Sequence, residues 1–214
     1  MTAIPLTTRR KFIKDLGYIS VGFTLFGACS GVEDPIMAAR LDYDGKLPGS
    51  MGRAKTVNAW LEILEDGTIR VLSGKVELGQ GIRTAIQQVA AEELDMDLEK
   101  VQVHLAETGV TSNEGYTGAS ASIQNSAMSV RYAAATARQE LLLLASKKLN
   151  TAVDNLLLYN GLVKSKQNKE SLTFAEILDG EQIEKEVILP IPIKDNREHR
   201  FVGKAIPRPD IEEM

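Results

Sequence analysis

The sequence predicts an α+β fold, with a small mixed or antiparallel sheet and two principal helices packed on one face. Asp66-Gly67 separates two runs in which apolar and polar residues alternate, and this arrangement is a strong signal for a β-hairpin. Over residues 84–95, small and apolar residues recur at three- and four-residue steps, and residues 122–149 are rich in alanine and leucine, so two helices are predicted. Aromatic residues make up only 5% of the chain, so helices on a sheet are more natural than an aromatic-rich β-sandwich.

From residue 57 onward the elements follow in order. Residues 57–64 and 68–73 alternate on either side of the Asp-Gly turn and are predicted to pair as antiparallel strands. The helix over residues 84–95 carries a face of alanines, so it should pack closely on the sheet. The alternating run "VQVHL" predicts a third strand, in which His104 is a surface or sheet residue.

The second half of the chain adds a long helix and several shorter elements. Alanine and leucine dominate residues 122–149, which favours a helix throughout. An Asn-Gly pair at 160–161 predicts a strand pair that turns there, and residues 171–180 begin with a serine before a short helix that ends at a glycine. The segment 185–194 contains two prolines and is therefore predicted to be extended and at a sheet edge.

The first 29 residues are typical of an export signal. Arg9-Arg10 and "KFIK" precede a nearly uncharged run over residues 16–28, which is shorter than the roughly 20 residues that a bilayer span needs. This pattern resembles the twin-arginine export signal of bacteria, which serves proteins that cross the membrane already folded, and it predicts a periplasmic location. The alternative is an amphipathic first helix of the fold.

Cys29 follows small residues and precedes a polar stretch, as in the cleavage box of bacterial lipoproteins. A lipid on Cys29 would tether the protein to a membrane face without a spanning helix. The alternative is an ordinary cysteine at the end of the signal. Residues 30–54 are rich in glycine and proline and are predicted to be a linker.

Composition and charge argue against several classes of function. The formal net charge is −4, with both signs spread along the chain, so we expect no nucleic-acid partner. The chain has one cysteine and two histidines, His104 and His199, far apart, so we predict no side-chain metal cluster and no catalytic triad. Glu92 and Glu93 are predicted to lie on the solvated face of their helix.

The turn Gly79-Gln80-Gly81 stands between a strand-like run and the start of a helix. It is open to two interpretations. Unpaired N–H groups and the helix dipole favour an anion there, and glycine lets the backbone approach a ligand closely. Equally, the glycines can simply turn the chain from strand to helix.

A second small-residue loop leads into the long helix about 35 residues later. It follows the third strand, so both loops could face one crevice at the strand ends. Ser120 or Ser122 is also expected to cap the long helix. The residues of this loop are Thr117, Gly118, Ala119, Ser120, Ala121 and Ser122.

These two motifs, "GKVELGQGIRTAIQQVAAEEL" and "NEGYTGASASIQNSAMSVRYAAATARQELL", resemble the molybdopterin-binding part of the xanthine dehydrogenase/aldehyde oxidase family of molybdenum hydroxylases. The likeness covers residues 57–210. "HRFVGKAIPRPDIEEM" resembles the opening of that family's catalytic subunit, and its place after the module is similar to the order in the large subunit of isoquinoline 1-oxidoreductase. The predicted domains are a signal over 1–29, a linker over 30–54, the module over 55–195, and the truncated start of a catalytic-subunit segment over 196–214.

The resemblance implies a molybdenum-pterin cofactor, either molybdopterin or its cytosine dinucleotide, whose metal is held by the pterin dithiolene and not by protein side chains. Residues of the first turn would contact the pterin and its phosphate tail, and the second loop would line the cofactor near the metal. The implied cofactor-binding residues are Gly79, Gln80, Gly81, Thr117, Gly118, Ala119, Ser120, Ala121 and Ser122.

The implied reaction is hydroxylation of an aldehyde or N-heteroaromatic carbon with oxygen from water. The implied partners are the remainder of the molybdenum subunit, a small [2Fe-2S] subunit and a cytochrome c acceptor. The family's catalytic glutamate lies near the C-terminus of its subunits and has no match here, so we expect a truncated, split or incomplete portion, inactive alone. The alternative is an exported, lipid-anchored module that keeps the fold without the chemistry.

Overall fold

The computed structural model describes residues 46–208, and this range contains six strands and three α-helices. The strands are β1 (Leu61–Ile63), β2 (Ile69–Ser73), β3 (Val101–Leu105), β4 (Leu156–Tyr159), β5 (Leu162–Ser165) and β6 (Ser171–Thr173). The helices are α1 (Ile82–Glu93), α2 (Met128–Lys148) and α3 (Phe174–Leu178). A π-helical turn, Ser122–Ala127, leads directly into α2.

The strands form two three-stranded sheets, one mixed and one antiparallel. In the mixed sheet, β2 lies in the centre, antiparallel to β1 and parallel to β3, with Val71 opposite both Leu61 and Val103. The crossover from β2 to β3 runs through α1. In the second sheet, β4, β5 and β6 are antiparallel neighbours. The predicted α+β class with small sheets is confirmed.

The core lies where α1 and α2 contact each other and the mixed sheet. Ala90 and Ala91 of α1 and Ala133 and Ala134 of α2 are fully buried. Because these side chains are small, the two helix backbones can approach closely, and each methyl group removed from water adds to stability. This helix pair is the scaffold from which both loops of the candidate site project.

Both predicted hairpins form, and most differences lie at the element ends. Residues Val57–Ala59 form a 3-10 turn, so the first strand is shorter than predicted. The predicted helix over 122–149 is divided between the π-helical turn and α2. The predicted edge segment contributes one isolated bridge, between Glu186 and Thr56, instead of a strand.

The serine predicted to open the short helix is instead the first residue of β6. Thr173 caps α3: its Oγ1 accepts from the Glu176 N–H at 3.1 Å, and its own N–H donates to the Glu176 carboxylate at 2.7 Å. This reciprocal capping box fixes the helix start. The helix ends at Asp179, in the left-handed conformation at φ 52°, one residue before the predicted glycine.

The described range includes the last residues of the predicted linker. Met51 is fully buried there, and the indole N–H of Trp60 donates to the carbonyl of Ala54 at 2.8 Å, so this stretch packs against the domain. The predicted signal, Cys29 and the earlier part of the linker lie outside the described residues. No helix between residues 46 and 208 has the length and apolar character needed to cross a membrane.

Candidate functional site

The two loops predicted from the sequence lie side by side. Since β2 and β3 are parallel, the loops that follow them leave the same edge of the sheet. The Val76 N–H of the first loop donates to Oγ1 of Thr117 in the second loop at 2.9 Å. We define the site loops as residues 74–81 and 112–122. Their contact brings the predicted cofactor residues onto one face of the domain.

The Glu77 carboxylate binds the N-terminus of α1. Its Oε1 accepts from the N–H groups of Gly79 and Gly81, at 3.0 and 2.8 Å, and its Oε2 accepts from the Arg83 N–H at 3.1 Å. Gly81, the N-cap residue, has φ 76°, a conformation that favours glycine. The helix N-terminus that the sequence offered to an external anion therefore already holds an internal one.

The Gln80 side chain folds back across its own turn. Its amide nitrogen donates to the Val76 carbonyl at 2.9 Å, and its amide oxygen accepts from the Leu78 N–H at 2.5 Å. Arg208 closes the turn from outside, because its guanidinium donates to the Gly79 carbonyl at 2.8 Å and lies 3.8 Å from the Glu77 carboxylate. An amide nitrogen carries two protons, so the exposed Gln80 retains one beyond the bond to Val76.

The second loop holds two residues in the left-handed region. Ala119 and Ser120 have φ 53° and 54°, which costs roughly 1–2 kcal/mol for each residue with a side chain. Strain of this kind is concentrated in loops that bind ligands. The helix-cap position falls on Ala121, which has no side-chain cap, so the prediction that Ser120 or Ser122 caps the long helix is wrong.

A buried polar cluster lies where the two loops meet. Lys75 is 3% exposed, and its ammonium donates to the carbonyls of Glu114 and Tyr116 at 3.0 and 3.2 Å. Oε1 of Glu114 accepts from the hydroxyls of Ser73 and Ser126 at 2.9 and 3.0 Å. Sequence patterns do not identify this cluster, because its members are brought together only by the pairing of β2 with β3.

Exposed apolar side chains surround the loops. Tyr116 and Leu78 are 80% and 69% exposed, the two highest values among the large apolar residues of the described range. Where exposed apolar side chains form a patch, they commonly mark a contact with another domain or protein. The apolar residues on or beside the loops are Val76, Leu78, Val110, Tyr116 and Ile123.

The two histidines do not contribute to the loops. The imidazole of His104 lies 2.6 Å from the Glu107 carboxylate, and His199 lies 3.3 Å from the Arg131 guanidinium. Within residues 46–208, no group of three His, Cys, Asp or Glu side chains could hold a metal ion. Nothing among these residues resembles a side-chain metal centre.

The predicted exposure of Glu92 and Glu93 is wrong, since both are 1% exposed. The Glu93 carboxylate pairs with Arg131 at 2.8 Å and with Arg138 at 2.9 Å. Those two arginines lie seven residues apart, hence on one face of α2, and that spacing was visible in the sequence. The spacing alone does not show which element the arginines face, so the burial of Glu93 follows only from the packing of α1 on α2.

Glu92 anchors the segment that follows the module. Its Oε2 accepts from the N–H groups of Phe201 and Val202 at 2.7 and 3.2 Å, and its Oε1 lies 3.3 Å from the Lys194 ammonium. Burial raises the pKa of Glu92, but the N–H donors of Phe201, Arg200 and Val202, together with Lys194, outweigh it and hold the pKa below its ordinary value.

Both loops are rich in small residues and lie side by side where the parallel strands β2 and β3 end. Ligands commonly bind at such strand ends in sheets with parallel strands. The chain belongs to the molybdopterin cofactor-binding domain family, whose model matches residues 19–195. The resemblance found in the sequence is confirmed, and with it the molybdenum-pterin cofactor.

Curated relatives are much longer than this chain. It is 38% identical over 152 residues to one of the subunits of nicotinate dehydrogenase from Pseudomonas putida, covering 71% of this chain and 13% of that protein. It is 28% identical over 183 residues to the beta subunit of isoquinoline 1-oxidoreductase from Brevundimonas diminuta, covering 82% and 22%. The chain therefore spans less than a quarter of either relative.

Solved structures with a similar arrangement include two oxidoreductases. Quinoline 2-oxidoreductase from Pseudomonas putida 86 matches with a TM-score of 0.45 and 24% identity, over 55% of this chain and 15% of that one. Reconstituted CO dehydrogenase from Oligotropha carboxidovorans matches with a TM-score of 0.49 and 18% identity, over 60% and 16%.

The residues on the two loops fit a molybdenum-pterin group. Gly79 faces open space, since an added Cβ would meet nothing within 4 Å. Gln80, Ala119 and Ser120 are exposed, so main-chain groups and a hydroxyl can reach a ligand there. Such donors and acceptors match the polar edge of a pterin and the oxygens of a phosphate tail. That these particular residues contact the cofactor stays a prediction.

Proposed function

We propose that this chain forms one wall of the molybdenum-cofactor site in a periplasmic oxidoreductase that hydroxylates an aldehyde or N-heteroaromatic carbon with oxygen from water. The observation that supports this most is the direct contact of the two site loops, through Val76 and Thr117. Each loop alone is compatible with a plain turn. Their contact gives a single polar surface where the family's cofactor can bind.

The two loops contribute different hydrogen-bond donors to the cofactor. The hydroxyls of Ser120 and Ser122 and the neighbouring main-chain N–H groups donate to the cofactor, and the second amide proton of Gln80 orients it from the other side. Glu77 keeps the first turn rigid, so little order has to be created on binding. When bound, the cofactor supplies the two-electron redox chemistry at molybdenum.

The remainder of the molybdenum subunit is the first partner that we propose. The exposed apolar residues Leu78 and Tyr116 at the loops support it, because a second domain packed there would exclude water from the cofactor. Hydroxylation removes two electrons from the substrate. A [2Fe-2S] subunit and then a cytochrome c are proposed to carry these electrons away. The cofactor form is proposed to be molybdopterin or its cytosine dinucleotide.

Export with the cofactor already inserted is part of the proposal. Arg9-Arg10 and the short apolar run after them support twin-arginine transport, and Cys29 supports attachment to a membrane face through a lipid.

A second candidate is a non-catalytic exported module that retains the fold. The contacts of Glu77 and Arg208 favour it, because they occupy the helix N-terminus and the Gly79 carbonyl that a ligand could otherwise use. Under this alternative the folded chain binds no pterin.

The deciding experiment produces the full chain in a host that makes molybdenum cofactor, then measures molybdenum by mass spectrometry and pterin by fluorescence after oxidation. We expect both in the purified chain. Replacing Ser120 and Ser122 together by alanine should lower their content roughly tenfold or more, since two hydrogen bonds of about 1 kcal/mol each are lost.

The matched control is Ser171→Ala, an exposed serine on β6 outside both loops, which should retain the parent's content. A folded parent chain that carries neither molybdenum nor pterin would support the non-catalytic module instead.

A further inference from the structure

Two charged side chains, one from each site loop, join the loops. Each forms hydrogen bonds with groups of the other loop or of the strand before it. Lys75, in the first loop, donates its ammonium protons to the carbonyls of Glu114 and Tyr116 in the second. Glu114, in the second loop, accepts with Oε1 from the Gly74 N–H of the first loop at 2.7 Å and from the Ser73 hydroxyl at 2.9 Å. Each loop thus places one charged side chain among the neutral groups of the other.

The same carboxylate reaches a third element. Its Oε1 also accepts from the Ser126 hydroxyl at 3.0 Å, and Ser126 belongs to the π-helical turn that starts α2. The hydroxyls of Ser73 and Ser126 lie 2.8 Å apart. The end of β2, the second loop and the beginning of α2 therefore meet at Glu114.

The backbones of the two loops are in close contact at this junction. A Cβ on Gly74 would lie 2.2 Å from the Ser112 carbonyl oxygen, so only glycine allows the loops this close. Lys75 and Glu114 are 3% and 9% exposed. A displaced loop would leave an ammonium or a carboxylate buried without its donors or acceptors, which is strongly unfavourable.

The cluster also carries an energetic cost. Oε2 of Glu114 is buried and has no hydrogen-bond partner among the described residues. An unsatisfied buried oxygen costs about 1–3 kcal/mol. A structural junction between two loops could be made from neutral groups without that cost, whereas a charged cluster strongly fixes their separation.

We propose that Lys75 and Glu114 are positioning residues that set the spacing between the Gly79-Gln80-Gly81 turn and the loop over residues 117–122. This inference rests on the proposed cofactor site. It adds how the two site loops are kept at one distance from each other. Neither residue needs to touch the cofactor. Their effect is to present the two sets of donors at one fixed separation, so that one rigid ligand can contact both.

The spacing is measurable without any cofactor. Spin labels are placed by Leu78→Cys and Ile123→Cys, at two exposed positions outside the cluster, with the single native cysteine removed by Cys29→Ser. Pulsed electron–electron double resonance should give one narrow label-to-label distance in the otherwise unchanged full chain. Lys75→Met and Glu114→Ala should each abolish that narrow distance and give a broad distribution.

Two further variants separate positioning from a general loss of stability. Glu114→Gln retains a carbonyl oxygen for the same donors, so it should keep more of the narrow distance than Glu114→Ala and remains informative if the alanine variant does not fold. Thr136→Val removes a buried hydrogen bond to the Tyr132 carbonyl inside α2, so it should lower the melting temperature and leave the distance unchanged.

Cofactor content gives the second readout, measured per folded chain on the same substitutions in the unlabelled chain without Leu78→Cys and Ile123→Cys. Lys75→Met and Glu114→Ala should lose molybdenum and pterin together, and Thr136→Val should retain both. An unchanged distance in both cluster variants would overturn the positioning role, whatever the cofactor content. A parent chain without cofactor would instead overturn the proposed function, while the distances would still decide whether the cluster fixes the loops.

Discussion

Glutamate carboxylates bind neighbouring groups at both ends of helix α1, but one end is exposed and the other is buried. At its start, the single carboxylate of Glu77 binds the N–H groups of an exposed turn. At its end, Glu92 and Glu93 are buried and are bound by two arginines of α2 and by Lys194, near the end of the module. One end is thus anchored in the core, and the other carries an exposed turn, which we propose contacts the cofactor. Binding loops are generally positioned in this way by a rigid scaffold.

The largest effect is expected at the anchored end. Glu93→Ala leaves Arg131 and Arg138 without their carboxylate and should lower the free energy of unfolding by about 3–5 kcal/mol. Urea unfolding at pH 7 measures this change. As a matched control, Glu99→Ala alters an exposed glutamate and should stay within about 0.5 kcal/mol of the parent. Equal effects in the two variants would mean that the buried ion pairs of Glu93 do not anchor this end of the helix.

The pH dependence of stability sharpens the comparison. Because the pKa of Glu92 is held below its ordinary value of 4.5, its stabilising contribution is fully present above that value and is lost as pH falls through the lowered pKa. Melting temperatures of the parent and of Glu92→Gln should therefore differ most above pH 4.5 and converge only in acid, as the pH falls through the lowered pKa. A difference that grew as the pH fell would contradict this assignment.

A smaller and more local effect is expected at the site end. Glu77→Ala removes the acceptor for the N–H groups of Gly79, Gly81 and Arg83, and should cost about 1 kcal/mol, as for loss of a helix cap. Hydrogen exchange should become faster at those amides and stay unchanged over residues 90–94. Glu107→Ala, which removes an exposed carboxylate beside His104, is the control and should leave exchange in the turn unaltered.

Local signals predicted much of the fold. Asp66-Gly67 and Asn160-Gly161 each turn a hairpin as expected, because the pattern that specifies such turns lies within a few residues. The contact of the two loops also followed from their positions after successive strands. The parallel pairing of β2 with β3 supplies the reason.

The errors came from partners that are distant in the chain. The burial of Glu93 depends on Arg131 and Arg138, more than thirty residues away, and that of Glu92 on main-chain N–H groups more than a hundred residues away. Glu77 is a different case: its partners are only two to six residues away, but the bonds depend on the conformation of the turn, which the sequence pattern does not give. Helical periodicity treats a charged residue as solvated and carries no information on such partners.

The central claim is that both loops contact one cofactor, and anomalous diffraction at the molybdenum edge tests it most directly. Crystals of the full chain loaded with molybdenum cofactor should show a single molybdenum peak, with pterin density in contact with both Gln80 and Ser120. A peak elsewhere on the domain, such as beside the open cavity near Gln182, would contradict the account. So would pterin density that touches only one of the two loops.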